Sequence, residues 1–390
     1  MIKPEATISD SPLVALHYAT RQPVQLRWEN GLISSIESTQ LPCSPDLWIA
    51  PALFDVQVNG YGGVDFQHDN VSAKQLLDAV HRIRIAGCGR FLLTLITDDW
   101  ATLTSRLRHF RSLRSQEPAL RAAIPGWHVE GPFLSAEPGF HGAHNRALTC
   151  DPAPEHILEL RTITDPDPLL LTLSPERPGA LDAIELAVSL GIKVGLGHTD
   201  APASVLHAAV KAGAVCFTHL GNGCPRELDR HDNILWRAFE IPTLQASLIP
   251  DRIHVSPPLF RLIHRVLGPD RVFYTTDSMS AAGMPPGRFK LGTLEVEVGE
   301  DQVVRLPGKP LFAGSALRPV DGVLRAAEML GRPWQEVWPR FSITPGRLMG
   351  LPNELEVGEP ADFCLLKINA ENQLHDLTTY IHGAPVRKTL

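Results

Sequence analysis

Eight short apolar runs alternate with longer amphipathic segments between residues 50 and 280, and this alternation constrains the fold more than any other feature. A parallel sheet built from βα units produces the pattern, because each strand must return to the same edge through a helix. Eight such units close a (β/α)8 barrel of the TIM type, so we predict an α/β barrel. No Gly-rich phosphate loop follows the first run, which disfavours a doubly wound open sheet. The runs are ALFDVQV, RFLLTLIT, AIPGWHVE, LLLTLS, IKVGLGH, AVCFTHL, LQASLIP and RVFYTTD.

The two ends of the chain do not follow the barrel pattern. Near the start, VQLRWENGLISSIES contains two extended runs around an Asn-Gly turn, which predicts a β-hairpin. The C-terminal segment LEVGEPADFCLLKINAENQL is also extended in character. We therefore expect a small β-sandwich domain formed by residues 1–50 together with 351–390, and a barrel over residues 51–350.

A further hairpin pattern, RFKLGTLEVEVGEDQVVRL, follows the eighth run at residues 288–306. We predict an insertion over the mouth of the barrel. The sequence is equally compatible with a purely structural flap.

The charge balance limits the classes of partner. The chain has 36 Lys and Arg against 43 Asp and Glu, a formal net charge of −7, which disfavours binding to nucleic acid or to anionic membrane surfaces. No basic leader and no apolar stretch of roughly 18 residues is present, and the six cysteines form no close pairs. We expect a cytoplasmic enzyme with reduced thiols and no cysteine-based zinc site.

Five polar residues follow predicted barrel strands at the points where those strands end. Glu130 ends the third run, His198 the fifth and His219 the sixth, while His254 follows the seventh and Asp277 ends the eighth. The carboxyl ends of barrel strands meet on one face, which is where barrel enzymes place their active sites. We therefore expect these side chains to converge.

Two imidazoles and a carboxylate suit a divalent metal ion such as zinc, with one coordination position left for water. Such an ion lowers the pKa of its water and polarises a carbonyl, so an amide can be hydrolysed without a covalent intermediate. Asp277 would then act as general base and afterwards as general acid. Taken singly, each residue has a structural interpretation: Glu130 could cap the next helix, and Asp277 could cap a helix before SMSAAG.

A series of longer motifs runs along nearly the whole chain: PALFDVQVNGYGGVDF, GWHVEGPFLS, HGAHN, GLGHTDA, FTHLGNGCP, residues 251–254, TTDSMSAAG, FAGSALRP and GEPADFCLL. In these motifs and their order the chain resembles the N-acetylglucosamine-6-phosphate deacetylases of the amidohydrolase superfamily. The resemblance implies a metal-bearing (β/α)8 barrel with a small β-sandwich, and the release of acetate from the 2-acetamido group to leave glucosamine 6-phosphate.

The same resemblance implies residue roles. It assigns Glu130, His198 and His219 as metal ligands and Asp277 as the catalytic residue. Arg230 corresponds to a phosphate-binding arginine that the neighbouring subunit of a homodimer often contributes, and its planar fork suits a phosphate. The implied substrate-binding residues are His144, Asn222, Gly223, Arg230 and His254.

Two departures from the family pattern matter. Gln57 and Asn59 stand where many superfamily members have His-x-His, so we expect one divalent ion, zinc with iron, manganese or cobalt as alternatives. Asn59 and Gly60 could also form only a turn. The segments HLGNGCP and RHDN differ from the usual HLxNAM and REPG, so the exact sugar stays open, and Arg226 and Arg230 could be solvated loop charges.

Other functions remain open at this point. The metal site fixes the chemistry more than the substrate, so an N-acyl amino acid deacylase, a cyclic amidase or a deacetylase of another N-acetylhexosamine is an alternative. A catalytically silent barrel that serves as a binding protein would require lost ligands, and all of the expected ones are present.

Overall fold

A computed structural model describes residues 12–307 and 312–387 of the chain. The parts of the expected terminal domain at residues 1–11 and 388–390 lie outside the described residues. The six cysteines all lie in the described ranges and are free thiols.

Eight parallel strands form the central sheet, and each corresponds to one of the eight predicted runs. They pair in chain order, first with second through to seventh with eighth. The prediction of a (β/α)8 barrel is therefore confirmed. The barrel strands, first to eighth, are Leu53–Val58, Cys88–Ile96, Gly126–Glu130, Leu169–Leu173, Lys193–Leu196, Cys216–Phe217, Gln245–Leu248 and Val272–Tyr274.

Helices connect the strands and cover the barrel. The first one shows why they form at these positions: Ser72 and Gln75 make a capping box, and the apolar side chains recur with helical spacing on the buried face. The α-helices are Ala73–Ile85, Trp100–Gln116, Pro118–Ala123, Pro154–Thr164, Ala180–Ser189, Ala203–Ala212, Ile234–Glu240, Pro257–Leu267, Pro319–Leu330, Trp334–Val337 and Ile343–Met349; short 3-10 helices span Arg146–Leu148 and Trp338–Phe341.

The barrel interior is closed at the N-terminal ends of its strands. Phe54, Leu170 and Phe273 are buried there in one apolar cluster with Met349 of the last helix. A substrate therefore reaches the interior from the opposite end, at the carboxyl ends of the strands.

The first and eighth strands are joined mainly by side-chain hydrogen bonds. Only an isolated bridge links Val58 to Ser278 in place of a full ladder. Below it, the buried carboxylate of Asp55 accepts hydrogen bonds from the hydroxyls of Thr275 at 2.6 Å and Thr276 at 2.5 Å, and from the backbone N–H of Thr276 at 3.1 Å. Asp55 thus holds the last barrel strand against the first.

Strands from both ends of the chain form a separate seven-stranded sheet, as predicted. The predicted hairpin turns at Asn30 and Gly31, both with positive φ, as a tight two-residue hairpin turn requires. The sheet has its own apolar cluster, which includes Trp28, Ile49 and Phe363. Its strands are Leu13–His17, Pro23–Glu29, Leu32–Ser38, Leu47–Pro51, Phe363–Ile368, Leu374–Ile381 and Ala384–Pro385.

The segment predicted as an inserted hairpin forms a three-stranded antiparallel sheet of Gly287–Leu291, Leu294–Val298 and Val304–Arg305. A smaller pairing joins Gly60–Tyr61 to Val64–Asp65 beside the mouth of the barrel. Within the described residues, no helix has the length and apolar character needed to cross a membrane.

Candidate active site

Three of the predicted site residues meet at the carboxyl ends of barrel strands. Glu130 is the last residue of the third strand. Its Oε1 lies 3.1 Å from Nε2 of His198 and 2.8 Å from Nε2 of His219. All three side chains are nearly inaccessible to solvent. One carboxylate oxygen and two imidazole nitrogens are therefore gathered at a single buried point.

The backbone is strained where these strands end. His198, His219 and Asp277 all have positive φ, at 52°, 35° and 50°, a conformation that costs non-glycine residues about 1–3 kcal/mol each. The left-handed turn directly after each strand directs the side chain into the mouth of the barrel. Strain at these three positions is typical of a functional site held in place by its surroundings.

The hydrogen bonds of the imidazoles distinguish their chemical roles. His198 lies with Nδ1 2.6 Å from the carbonyl oxygen of Phe140, so the ring carries its proton on Nδ1 and Nε2 has a free lone pair. This is the arrangement that metal-ligating histidines adopt. Nδ1 of His219 is buried and has no hydrogen-bond partner among the described residues.

A fourth buried side chain, His144, has the opposite arrangement. The backbone N–H of Thr97 donates to Nδ1 of His144 at 3.3 Å, and the hydroxyl of Thr97 lies 2.8 Å from the same nitrogen, so we assign the ring proton to Nε2, 3.5 Å from Oε2 of Glu130. Donor atoms of Glu130, His144 and His198 lie within 4.8 Å of one another, a spacing that would fit a metal ion, and this is the one such group found in the described ranges. The hydrogen bonds nevertheless favour His219 over His144 as a ligand, because His144 presents a proton where a ligand needs a lone pair.

The electrostatics of Glu130 and His198 suit a metal site, whereas at His219 burial would lower the pKa but Glu130 outweighs burial and raises it. Burial opposes ionisation of Glu130, yet the neighbouring imidazoles of His144, His198 and His219 hold the pKa of its carboxyl well below the usual range. Burial, with the neighbouring His144, lowers the pKa of His198 to about 4. An ionised carboxylate beside a neutral imidazole is the protonation state that a divalent cation requires of its ligands.

Asp277 lies across the cavity, and its hydrogen-bond partner comes from the first strand. The side-chain nitrogen of Asn59 donates to Oδ1 of Asp277 over 2.6 Å. Burial, and next to it the charge of Glu130, raise the pKa of Asp277 to about 6. A carboxyl with such a pKa can both accept and release a proton near neutral pH.

Gln57, the other residue of the first strand that the sequence pointed to, lies beside the carboxylate of Glu130. Its side-chain nitrogen donates to Oε2 of Glu130 at 3.0 Å. Gln57 therefore bonds directly to Glu130, and Asn59 bonds directly to Asp277. Asn59 is not merely part of a turn, because the chain reverses later, at Gly62 and Gly63.

A cavity of about 450 Å³ contains most of the predicted site residues. Arg230 is exposed and does not line it, whereas Arg226 does. Gly223 lies against His198, where a Cβ would come within 2.7 Å of Nδ1 of that ring. The predicted residues that line the cavity are Asn59, Glu130, His144, His198, His219, Asn222, Gly223, His254 and Asp277.

Several residues that shape the site have no role assigned from the sequence. Thr97 fixes the proton of His144, and Asp251 bonds to His254 with a 2.5 Å contact. Thr97 ends an apolar run as Glu130 does, so the sequence could have predicted that Thr97 lies at the carboxyl end of a barrel strand. Asp251 lies in a loop, where no periodicity predicts what its side chain contacts.

Comparison with known proteins supports an assignment to a family. No protein family model matches the chain. The chain is 31% identical over 346 residues to the N-acetylglucosamine-6-phosphate deacetylase of Vibrio furnissii, an alignment covering 85% of this chain and 84% of that protein. It is 30% identical over 364 residues to the N-acetylgalactosamine-6-phosphate deacetylase of Escherichia coli O157:H7, covering 92% and 93% respectively.

The fold gives the same result. A mutant N-acetyl-D-glucosamine-6-phosphate deacetylase from Mycobacterium smegmatis, solved in complex with N-acetyl-D-glucosamine 6-phosphate, superposes with a TM-score of 0.86. The match has 26% sequence identity and covers 97% of this chain and all of that one. With this likeness over nearly its whole length, the chain belongs to the N-acetylglucosamine-6-phosphate deacetylase family.

Proposed function

We propose that this protein hydrolyses the 2-acetamido group of N-acetylglucosamine 6-phosphate to glucosamine 6-phosphate and acetate. The observation that carries the proposal is the convergence of Glu130, His198 and His219 opposite Asp277 in one cavity. Water adds to the amide carbonyl carbon, the C–N bond breaks, and the amine departs with a proton.

Glu130, His198 and His219 would hold a single divalent ion. The fit is supported by the lone pair on His198, the ionised Glu130 and the position of Nε2 of His219, 2.8 Å from Oε1 of Glu130. When bound, the ion polarises the amide carbonyl and makes water acidic enough to be deprotonated near neutral pH. Zinc suits this nitrogen and oxygen set, while iron, manganese and cobalt are alternatives.

Asp277 moves the proton in this proposal. Its carboxylate takes a proton from the attacking water, and the resulting carboxylic acid gives that proton to the departing nitrogen. The raised pKa of about 6 suits both steps, and the hydrogen bond from Asn59 fixes the orientation of the carboxyl group. His144 donates from Nε2 to the acetamido group of the substrate.

The sugar and its phosphate would lie toward the outer part of the cavity. Asn222 and Gly223 line the wall beside His198, and the absence of a side chain on Gly223 leaves room for the His198 ring. Arg226 lines the cavity and has no ion pair among the described residues, so it is available to a phosphate. Arg230 reaches a phosphate only if a second subunit contributes it, so we propose a homodimer.

N-acetylgalactosamine 6-phosphate is the second candidate substrate. The relative named for it aligns over a larger share of both chains than the relative named for the glucose epimer. The reaction would be the same, since the two sugars differ away from the acetamido group. For either sugar phosphate, a cytoplasmic location fits the proposed role.

Acetate release by the metal-loaded enzyme tests the proposal. The substrates are N-acetylglucosamine 6-phosphate, N-acetylgalactosamine 6-phosphate, unphosphorylated N-acetylglucosamine and an N-acetyl amino acid, each with and without a chelator. We expect chelator-sensitive release that is fastest from the first compound. Release from the amino acid alone, or from none of the four, would contradict it.

A further inference from the structure

The loop after the seventh barrel strand contains one carboxylate that makes two separate sets of hydrogen bonds. Oδ1 of Asp251 accepts the backbone N–H groups of Ile253 and His254, each at 2.8 Å. Its other oxygen, Oδ2, lies 2.5 Å from Nδ1 of His254. The first set shapes the loop, and the second reaches only the imidazole.

Both members of this pair are withdrawn from solvent. The side chains of Asp251 and His254 are 3% and 8% exposed. Burial disfavours the charged ring of His254, but the adjacent Asp251 outweighs burial, with a smaller contribution from Asp277, and the pKa of His254 is raised. Burial likewise opposes ionisation of Asp251, yet the pKa of Asp251 is lowered, mainly by His254. Each group therefore favours the charged form of the other.

The contact also determines which nitrogen of His254 a ligand can meet. An ionised carboxylate has no proton to donate, so the 2.5 Å contact requires a proton on Nδ1. His254 lines the cavity, and Nε2 is the nitrogen left to face it. The ring packs against Phe312, with the two ring centroids 5.4 Å apart, which limits its rotation.

We propose that Asp251 is a positioning residue, which holds the proton of His254 on Nδ1 and so presents Nε2 to an anionic oxygen of the substrate phosphate. The choice of this oxygen as ligand rests on the proposed function, in which the sugar phosphate occupies the cavity that His254 lines. The positioning itself does not, because it follows from the contacts of the resting protein.

The competing interpretation is that Asp251 only caps the loop. The two sets of hydrogen bonds allow a variant that separates these roles. Asp251→Asn keeps an oxygen for the two backbone N–H groups and places an NH₂ group against Nδ1 of His254. Asp251→Ala removes both sets, so it serves as the matched control for loss of the loop contacts.

We expect Asp251→Asn to unfold near the wild-type temperature while kcat/KM for the phosphorylated sugar falls about tenfold to a hundredfold, mainly through KM. That range corresponds to the loss of one charge-assisted hydrogen bond. Asp251→Ala should lose both activity and thermal stability. In a His254→Phe background, Asp251→Asn should cause no further fall, because the histidine through which it acts is gone.

Nitrogen-15 NMR of histidine-labelled, zinc-loaded protein measures the proton position directly, with His254→Phe identifying the signal. We expect a protonated Nδ1 in the wild type and loss of that proton in Asp251→Asn. An unchanged signal, or an equal fall in kcat/KM in the His254→Phe background, would overturn the proposal. If wild-type enzyme releases no acetate from any sugar phosphate, the proposed function fails, while the NMR signal still decides the role of Asp251.

Discussion

Asn59 donates a hydrogen bond of 2.6 Å from its side-chain nitrogen to Oδ1 of Asp277, and so connects the first barrel strand to the last one at the mouth of the barrel. The side-chain oxygen of Asn59, Oδ1, is buried and has no hydrogen-bond partner among the described residues. One amide thus orients the proposed proton-transfer group and offers a free acceptor beside it. A buried acceptor without a partner is costly, which favours its use by a water or a substrate group.

We predict that Asn59→Ala lowers kcat by about tenfold or more, because Asp277 loses a hydrogen bond to its charged form. Asn59→Asp should be at least as damaging, since a second carboxylate would repel the first and remove the donor. Steady-state acetate release measures both effects. Metal content serves as the control and should stay at the wild-type value, because the side chain of Asn59 bonds to Asp277 and, among the described residues, makes no hydrogen bond to Glu130, His198 or His219. Full activity in Asn59→Ala would show that Asp277 needs no partner.

Replacing the proposed acid and base itself should have a larger effect. Asp277→Asn should lower kcat by about a hundredfold to ten-thousandfold, the usual contribution of positioned proton transfer. Metal content measured by elemental analysis should be unchanged, because the ligands are separate residues. A variant with normal turnover would remove Asp277 from the mechanism. Loss of metal would instead make it a ligand.

The ligand assignment can be tested with two histidines that contact the same carboxylate. His219→Ala should abolish metal binding, whereas His144→Ala should keep the metal and lose activity, because His144 presents a proton and not a lone pair. Chelation should lower the melting temperature of the wild-type protein, since a ligand that binds only the folded state stabilises it. Retained metal in His219→Ala together with metal loss in His144→Ala would reverse the assignment.

Two loop arginines differ in how each could bind the substrate phosphate, so their substitutions should have different effects. Arg226→Ala should raise KM for the 6-phosphorylated sugar with little effect on an unphosphorylated analogue, because Arg226 lines the cavity of its own chain. Arg230→Ala should have the same selective effect only if a second subunit brings Arg230 to the site. Steady-state kinetics at protein concentrations above and below the dissociation constant of the dimer distinguish a contact within one subunit from a contact across the interface. Equal effects of each variant on both substrates would exclude a phosphate contact for that arginine.

The barrel and the core of the site were predictable because both depend on strands. Each strand is an apolar run, so Glu130, His198 and Asp277 were recognised as polar residues that end such runs. Contacts made by loops were not predictable. Neither the cavity-facing position of Arg226 nor the double contact of Asp251 follows from any periodicity, since a loop places side chains by its individual hydrogen bonds.

Asp55 shows the same limit inside a strand. It lies within the apolar run ALFDVQV, where a single carboxylate has several structural interpretations, and only the fold brings it to Thr275 and Thr276. The eighth strand has no full ladder with the first, so these hydrogen bonds take the place of strand pairing. Thr276 directly precedes Asp277, so the same contacts fix the start of the turn that carries the proposed proton-transfer group.

We therefore predict that Asp55→Ala destabilises the protein by about 3 kcal/mol or more, since it leaves two buried N–H groups and two buried hydroxyls without their acceptor. Thr275→Val removes only one of these hydrogen bonds and should cost about 1 kcal/mol. Thermal unfolding measures both, and kcat of the folded fraction should fall in Asp55→Ala more than in Thr275→Val because the turn at Asp277 loses its support. A melting temperature unchanged by Asp55→Ala would show that the bridge between Val58 and Ser278 closes the barrel by itself.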